Sequence, residues 1–250
     1  MDYFEKMKID INCDVGEGIG NERDLLPLIS SCNIACGGHA GDADTMKEVV
    51  QLAVNKDVKI GAHPSYPDRA NFGRISMEIS SEELQTSIKN QIDSLISILN
   101  RHNTKLHHIK PHGALYNDVA KNRETATIFL EAIEKYKEKV FLYVPYNSRI
   151  ETLALQKGFK IKREAFADRN YNADLSLVSR KLPNALIQKP KLVMEHIIRM
   201  IKDSKVKTVE GELITIEADT FCVHGDTLTA LQILTYLTVE FTKLKSSIKK

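Results

Sequence analysis

The sequence predicts an α/β fold, a seven-stranded, TIM-like βα-barrel, on three observations. Short apolar runs alternate with longer amphipathic segments along the chain. About seven such units fit into 250 residues, which suits a closed βα-barrel better than an open sheet. Nearly every apolar run ends in a cluster of polar residues. Strand–helix alternation calls for parallel strands joined by right-handed crossovers. An open doubly wound sheet shares this periodicity, so unit count and strand-end chemistry carry the choice.

The first strand is expected over residues 8–13, where Lys-Ile-Asp-Ile-Asn-Cys alternates with period two, and the second over 31–36. Met46, Val49, Val50, Ala53 and Val54 then recur at helical spacing behind Asp44. A third strand over 58–62 precedes Ser80 and Glu83, a capping box for a helix carrying Leu84, Ile88, Ile92, Leu95 and Leu99. The fourth strand is placed at 106–109, ahead of a helix with Ala126, Phe129, Ala132, Ile133 and Tyr136 on one face. The fifth, 140–144, is continuously apolar; Ser148 caps the helix after it and Gly158 ends that helix. The sixth spans about 160–165, followed by a helix bearing Leu192, Val193, His196, Ile197 and Met200. A weak β-like stretch at 213–217 precedes the seventh strand, 220–223. Asp226 is placed as cap of a last helix with Ala230, Ile233, Leu234, Leu237, Phe241 and Leu244. Short apolar runs of this kind suit strands buried on both faces.

Hydrophobic residues make up 42% of the chain and charged residues 27%, which excludes a disordered or fibrous chain. The net charge of +2 gives no case for a nucleic-acid or membrane surface. The apolar runs fall far short of the ~20 residues that span a bilayer. Residues 1–8 mix Asp2, Glu5, Lys6 and Lys8 with no apolar core, so no secretory signal is read there. Cys13, Cys32, Cys36 and Cys222 form no CxxC pair and sit among apolar residues. Free thiols in a reducing cytoplasm are expected. No repeat or linker appears, so a single domain over 1–250 is expected.

The strand ends carry the chemistry. Asn12, Asp14 and Glu17 follow the first strand, and Asn33 with Gly37-Gly38-His39-Ala40-Gly41-Asp42 the second. His63, Asp68, Arg69 and Arg74 follow the third, and Lys110, His112, Tyr116 and Asn117 the fourth. Glu164, Asp168 and Arg169 follow the sixth; His224 and Asp226 follow the seventh. Strand C-termini of a parallel barrel share one face, and active sites of such barrels lie there. Several of these residues have plain structural readings. Asp226 is as good a helix cap as a catalytic group, Asp68 and Arg69 make a surface pair, and the glycines serve turns. His196 lies mid-helix, and His102 and His107 fall at the wrong barrel end. Asp14, His39, His63, Lys110, His112, Glu164, Asp168 and His224 are harder to explain structurally, because a buried Lys or Asp without a partner is costly. Asp14, His39, His63 and His224 offer the N and O ligands that bind Zn or Mn, although no H-x-x-x-H or H-E-x-x-H pair is present. There is no phosphate-binding loop, Gly16-Glu17-Gly18 completes no dinucleotide fingerprint, and no Gly-x-Ser-x-Gly elbow exists.

Ile-Asn-Cys-Asp-Val-Gly-Glu-Gly (11–18), Asn-Ile-Ala-Cys-Gly-Gly-His-Ala-Gly-Asp (33–42), Ile-Gly-Ala-His-Pro-Ser-Tyr-Pro-Asp (60–68), Asn-Phe-Gly-Arg (71–74), Lys-Pro-His-Gly-Ala-Leu-Tyr-Asn (110–117), Glu-Ala-Phe-Ala-Asp-Arg (164–169) and Cys-Val-His-Gly-Asp (222–226) together resemble the LamB/YcsF family. The resemblance covers nearly the whole chain. It implies a barrel of the glycoside hydrolase/deacetylase type and ATP-dependent cleavage of 5-oxo-L-proline to L-glutamate. It also implies ATP (with Mg) as cosubstrate and 5-oxoprolinase subunits B and C as partners. For that reaction Asp14 or Glu17 is assigned as base, and Lys110 and His112 as charge stabilisers. His39, His63, Asn117, Glu164, Asp168 and His224 are assigned to positioning substrate. Arg74 or Arg169 is assigned to the substrate carboxylate. Deacetylases of this fold hold a metal with a first-strand Asp and two closely spaced His. Here His39 and His63 follow different strands, so a metal, if bound, is expected on Asp14, His39 and His63. The missing phosphate-binding loop implies that ATP is handled by, or shared with, the partners. Two other readings stand beside this one: a metal-dependent deacetylase or hydrolase of a small amide or carbohydrate, and a non-catalytic accessory protein.

Overall fold

The barrel strands are β1 (Ile11–Val15), β2 (Ser31–Ala35), β3 (Lys59–His63), β4 (His108–Ile109), β5 (Phe141–Pro145), β6 (Lys160–Phe166) and β7 (Thr220–His224). They pair in chain order, all parallel, and β7 closes the ring by pairing with both β6 and β1. The computed structural model describes residues 7–249; the rest of the N-terminal stretch inspected for a signal lies outside them.

The alternation along β1 has a direct structural meaning. Ile11, Cys13 and Val15 belong to the hydrophobic core, whereas Asn12 and Asp14 are buried without joining it. Lys110 follows β4, yet its ammonium touches Asp14 of β1, Glu164 of β6 and Cys222 of β7. Strands so far apart around the ring meet only through the lumen. The barrel is therefore apolar outside, against its helices, and polar inside. Below Asp14 the lumen continues as a bonded column. Asn33 donates to Asn12, Asn12 donates to Thr220, and Thr220 donates to Asp10, which also takes Lys162. Barrel interiors are more often filled by Val, Ile and Leu; here hydrogen bonds replace that packing, as buried polar groups require.

The helices are α1 (Ala43–Asn55), α2 (Ser81–Arg101), α3 (Gly113–Lys121), α4 (Arg123–Ala132), α5 (Arg149–Gln156), α6 (Pro190–Asp203) and α7 (Ala230–Lys243). The capping box at Ser80 and Glu83 forms in both directions. Leu84, Ile88, Ile92, Leu95 and Leu99 of α2 are buried as their spacing requires. Ser148 caps α5 by accepting from Glu151 N, and Gly158 follows that helix with φ +79°. Among the described residues no helix is long and apolar enough to cross a membrane.

Several local expectations need correction. The run 8–13 breaks at Asp10: Lys8–Ile9 leaves the barrel and pairs with Ser247–Ile248. The stretch at 213–217 yields Leu213–Thr215, which pairs antiparallel with Lys205–Lys207 outside the barrel. The cap of α1 is Asp42, whose carboxylate accepts from Thr45 N, not Asp44. Helix α3 has no counterpart in the sequence reading, which takes its residues for a strand-end cluster. It starts at Gly113, where φ is +57° and a Cβ would lie 2.5 Å from the Gly73 carbonyl oxygen. Asp226 caps nothing, since α7 begins at Ala230 behind Thr229. Leu192 is 47% exposed and leaves the core face of α6 to Val193, Met194, His196, Ile197 and Met200.

Candidate active site

At the C-terminal mouth of the barrel, Lys110 is 2% exposed. Its Nζ donates to Asp14 Oδ1 at 2.9 Å and to Cys222 Sγ at 3.2 Å, and lies 2.9 Å from Glu164 Oε1. The Glu164 contact is an ion pair without hydrogen-bond alignment, so both Glu164 oxygens lack an aligned donor. The Tyr116 hydroxyl beside it is also unpartnered and stays protonated, its pKa raised by burial and by Glu164. Burial opposes the charge on Lys110, but Asp14, Cys222 and Glu164 prevail and raise its pKa well above the ordinary value. Asp14 behaves symmetrically. Burial pushes its carboxyl up, and His63 and Lys110 more than reverse that. Asn33 adds a 2.7 Å bond to Asp14 Oδ1.

Three imidazoles gather beside Asp14. His63 Nδ1 lies 2.8 Å from the Lys110 carbonyl oxygen and its Nε2 lies 3.4 Å from Asp14 Oδ2. His112 Nε2 lies 3.0 Å from the Phe72 carbonyl oxygen, and its Nδ1 lies 3.0 Å from His63 Nε2 and 3.4 Å from Glu17 Oε1. His39 stacks on His112 with centroids 3.6 Å apart, and its Nε2 meets Glu17 Oε1 at 3.0 Å. Burial, then the neighbouring imidazoles, lowers the pKa of His112 well below the ordinary range. Burial lowers that of His39 as well, against the pull of Glu17.

Beside Asp14, on the adjoining strand and the loop after β6, Asp168 and His224 form a dyad. Asp168 Oδ1 lies 2.8 Å from His224 Nδ1, and its Oδ2 accepts from His224 N at 3.0 Å. His224 keeps the Asp168 carboxyl low despite burial. The imidazole thus has Nδ1–H fixed and Nε2 available. His224 is the register partner of Asp14, which places the dyad against the Lys110 group.

The remaining expected residues are more peripheral. Arg74 is on the rim and donates to Asp226 Oδ2 at 2.6 Å; Arg180 shares that oxygen at 3.1 Å. Arg169 is buried, and its guanidinium donates to the Val178 and Ala185 carbonyls, bracing the loop after β6. Asn117 is exposed on α3, at a small cavity it shares with Tyr116 and Glu164. Asp68 and Arg69 make no pair: Arg69 donates to the Gly37 and Gly41 carbonyls, while Asp68 accepts from Asn71 N. Sequence reasoning gives no role to His108, buried in the lumen. Its Nε2 lies 2.6 Å from Asn33 Oδ1 and its ring stacks on Tyr143. The signal is its even spacing from Lys110 on one strand, which puts both on the same face.

Residues 9–250 match the model of the LamB/YcsF family. The A subunit of 5-oxoprolinase from Pyrococcus horikoshii is 39% identical over 236 residues, 92% of each chain. The lactam utilization protein from Thermus thermophilus superposes with a TM-score of 0.89 at 33% identity, over 97% of this chain and 99% of that one. A family 4 carbohydrate esterase from Streptomyces lividans shares the fold alone, with a TM-score of 0.50 at 8% identity over 97% and 91% of the two chains.

Proposed function

Because the chain belongs to the LamB/YcsF family, we propose that it is the A subunit of an ATP-dependent 5-oxoprolinase, opening 5-oxo-L-proline to L-glutamate together with subunits B and C. The names of its relatives support this. The observation that carries it is the buried Asp14–Lys110–Glu164 array facing the Asp168–His224 dyad at one barrel mouth.

An unstrained lactam is a poor electrophile, and its ring opening gains little free energy. Transfer of the terminal phosphoryl group of ATP (with Mg) to the lactam oxygen releases ADP and activates the ring carbon. Water adds to that carbon, the C–N bond breaks as the nitrogen takes a proton, and a second water releases phosphate. Asp14 and Glu17 are the acceptors for the first water. Lys110 faces the charge that develops on oxygen, while His112, its Nε2–H held by the Phe72 carbonyl, positions His63 and Glu17. The proton that Asp14 or Glu17 takes from the water passes through His224 Nε2, oriented by Asp168, to the leaving nitrogen. His39 and His63 position these groups, with Glu164 and Asn117 near the ring. Arg74 on the rim is suited to the substrate carboxylate; Arg169 is committed to its own loop.

The test is glutamate release from 5-oxoproline by this chain with ATP, with and without the two partner subunits. Release only in the full mixture is the expected result. No release in any mixture of folded proteins overturns the reading. ATP-independent, metal-dependent cleavage of a small amide by this chain alone would favour the deacetylase-like hydrolase instead.

A further inference from the structure

The histidine cluster holds more hydrogen-bond acceptors than hydrogens to fill them. A backbone carbonyl only accepts, so His63 Nδ1 carries a hydrogen toward Lys110 O and His112 Nε2 carries one toward Phe72 O. The two nitrogens left over, His63 Nε2 and His112 Nδ1, face each other at 3.0 Å, and no more than one of them can hold a hydrogen there. Asp14 Oδ2 lies 3.4 Å from the first and Glu17 Oε1 lies 3.4 Å from the second. The ligand atoms of these four residues all lie within 4.8 Å of one another. Four potential ligand atoms thus converge with no more than one hydrogen to share among them. Around them, Asp14, Glu17 and Glu164 set three carboxylates against the single ammonium of Lys110. Uncompensated buried charge of this kind is costly.

We propose that Asp14, Glu17, His63 and His112 bind one divalent transition-metal ion of the Zn²⁺ or Mn²⁺ class. The spacing fits, since bonds of about 2.0–2.2 Å put neighbouring ligands about 3.0–3.5 Å apart between right-angle and tetrahedral geometry. The outer contacts fit as well. Both imidazoles give their other N–H to backbone carbonyls, Asp14 Oδ1 is held by Lys110 and Asn33, and Glu17 is held by His39. Such contacts orient the ligands of a metal centre. Two imidazoles with two carboxylates suit a borderline ion over Mg²⁺ or Ca²⁺. The second imidazole is His112, not His39 as the sequence suggests, because His39 turns its Nε2 to Glu17 and only stacks on His112. When bound, the ion would lower the pKa of a coordinated water.

The site rests on geometry alone and does not depend on the lactam reading, so its test reads metal content. The full chain is stripped with chelator, loaded separately with Zn²⁺, Mn²⁺ and Co²⁺, desalted, and assayed for bound metal; the Co²⁺ form is also examined for visible d–d absorption. The expected result is one equivalent per chain and a cobalt spectrum with nitrogen ligation. His63→Ala and His112→Ala should each weaken binding by at least ~100-fold, and His39→Ala, which removes an outer contact, by ~10-fold. His196→Phe, at a buried histidine outside the cluster, should bind as the native chain does. Folded native chain that retains none of the three ions overturns the proposal, with no variant needed. Full binding by a folded His63→Ala/His112→Ala chain overturns the ligand assignment.

Discussion

Lys110 holds together charges from three strands, and its removal separates stability from chemistry. Lys110→Met leaves Asp14 and Glu164 buried without their cation. Breaking a buried pair this way costs about 3–5 kcal/mol, so the unfolding free energy should fall by that amount and the denaturant midpoint with it; an unchanged midpoint would mean the array contributes no net stability. Asp168→Asn acts differently. It keeps the shape of the dyad but frees His224 from its fixed tautomer. In the assembled enzyme kcat should drop by ~10²–10⁴-fold with KM little changed, and circular dichroism should not move. Full turnover in that variant would confine Asp168 to a structural role. Most of these residues are visible in the sequence as polar types at strand ends. Their partners are not. That His112 rather than His39 faces His63 depends on how the turns after β2, β3 and β4 aim each ring. Arg169 shows the same limit: its residue type fits a carboxylate, but the loop after β6 takes its donors.

The element scale turns on how closely β3 and β4 approach. A Cβ on Gly61 would lie 2.1 Å from His108 Nε2, so the glycine on one strand makes room for the imidazole on the next. Gly61→Ala should destabilise the fold by about 1–3 kcal/mol. The double variant Gly61→Ala/His108→Ala should cost less than the sum of the two single changes. Additive costs in urea melts would show that the two positions do not couple. The polar face that fits β4 to the lumen also hides it in the sequence. His108 and Lys110 interrupt its apolar run, so only its neighbourhood is legible, and the regular pairing covers two residues. Helices with an unbroken apolar stripe and a capping box, such as α2, are legible almost to the residue. Asp226 misleads because an acid before a helix reads as a cap, whereas here two arginines from other loops hold it.

For the molecule as a whole, buried neutral histidines set the response to acid. His196, packed on Tyr171, has its pKa lowered by burial to about 4, against ~6.5 in an unfolded chain. Its folded pKa is the lower one, so the unfolded chain binds the extra proton between about pH 4 and 6.5. Stability therefore falls as pH drops through that window, by up to ~1.4 kcal/mol per pH unit for each such group. Urea midpoints at pH 7.5 and 5 should differ less for His196→Phe than for the native chain; equal differences would exclude His196 as a source. The order of the strands adds a consequence in time. Thr220, Cys222 and His224 belong to β7, the last strand of the barrel, and β7 alone joins β6 to β1. On the ribosome, six strands exist before the seventh has been made, and the cleft between β1 and β6 stays open to water. Asp14, Lys110 and Glu164 remain hydrated until β7 arrives. The dehydration of these charges thus falls on one late closing event, and a chain cut short before Thr220 never reaches it.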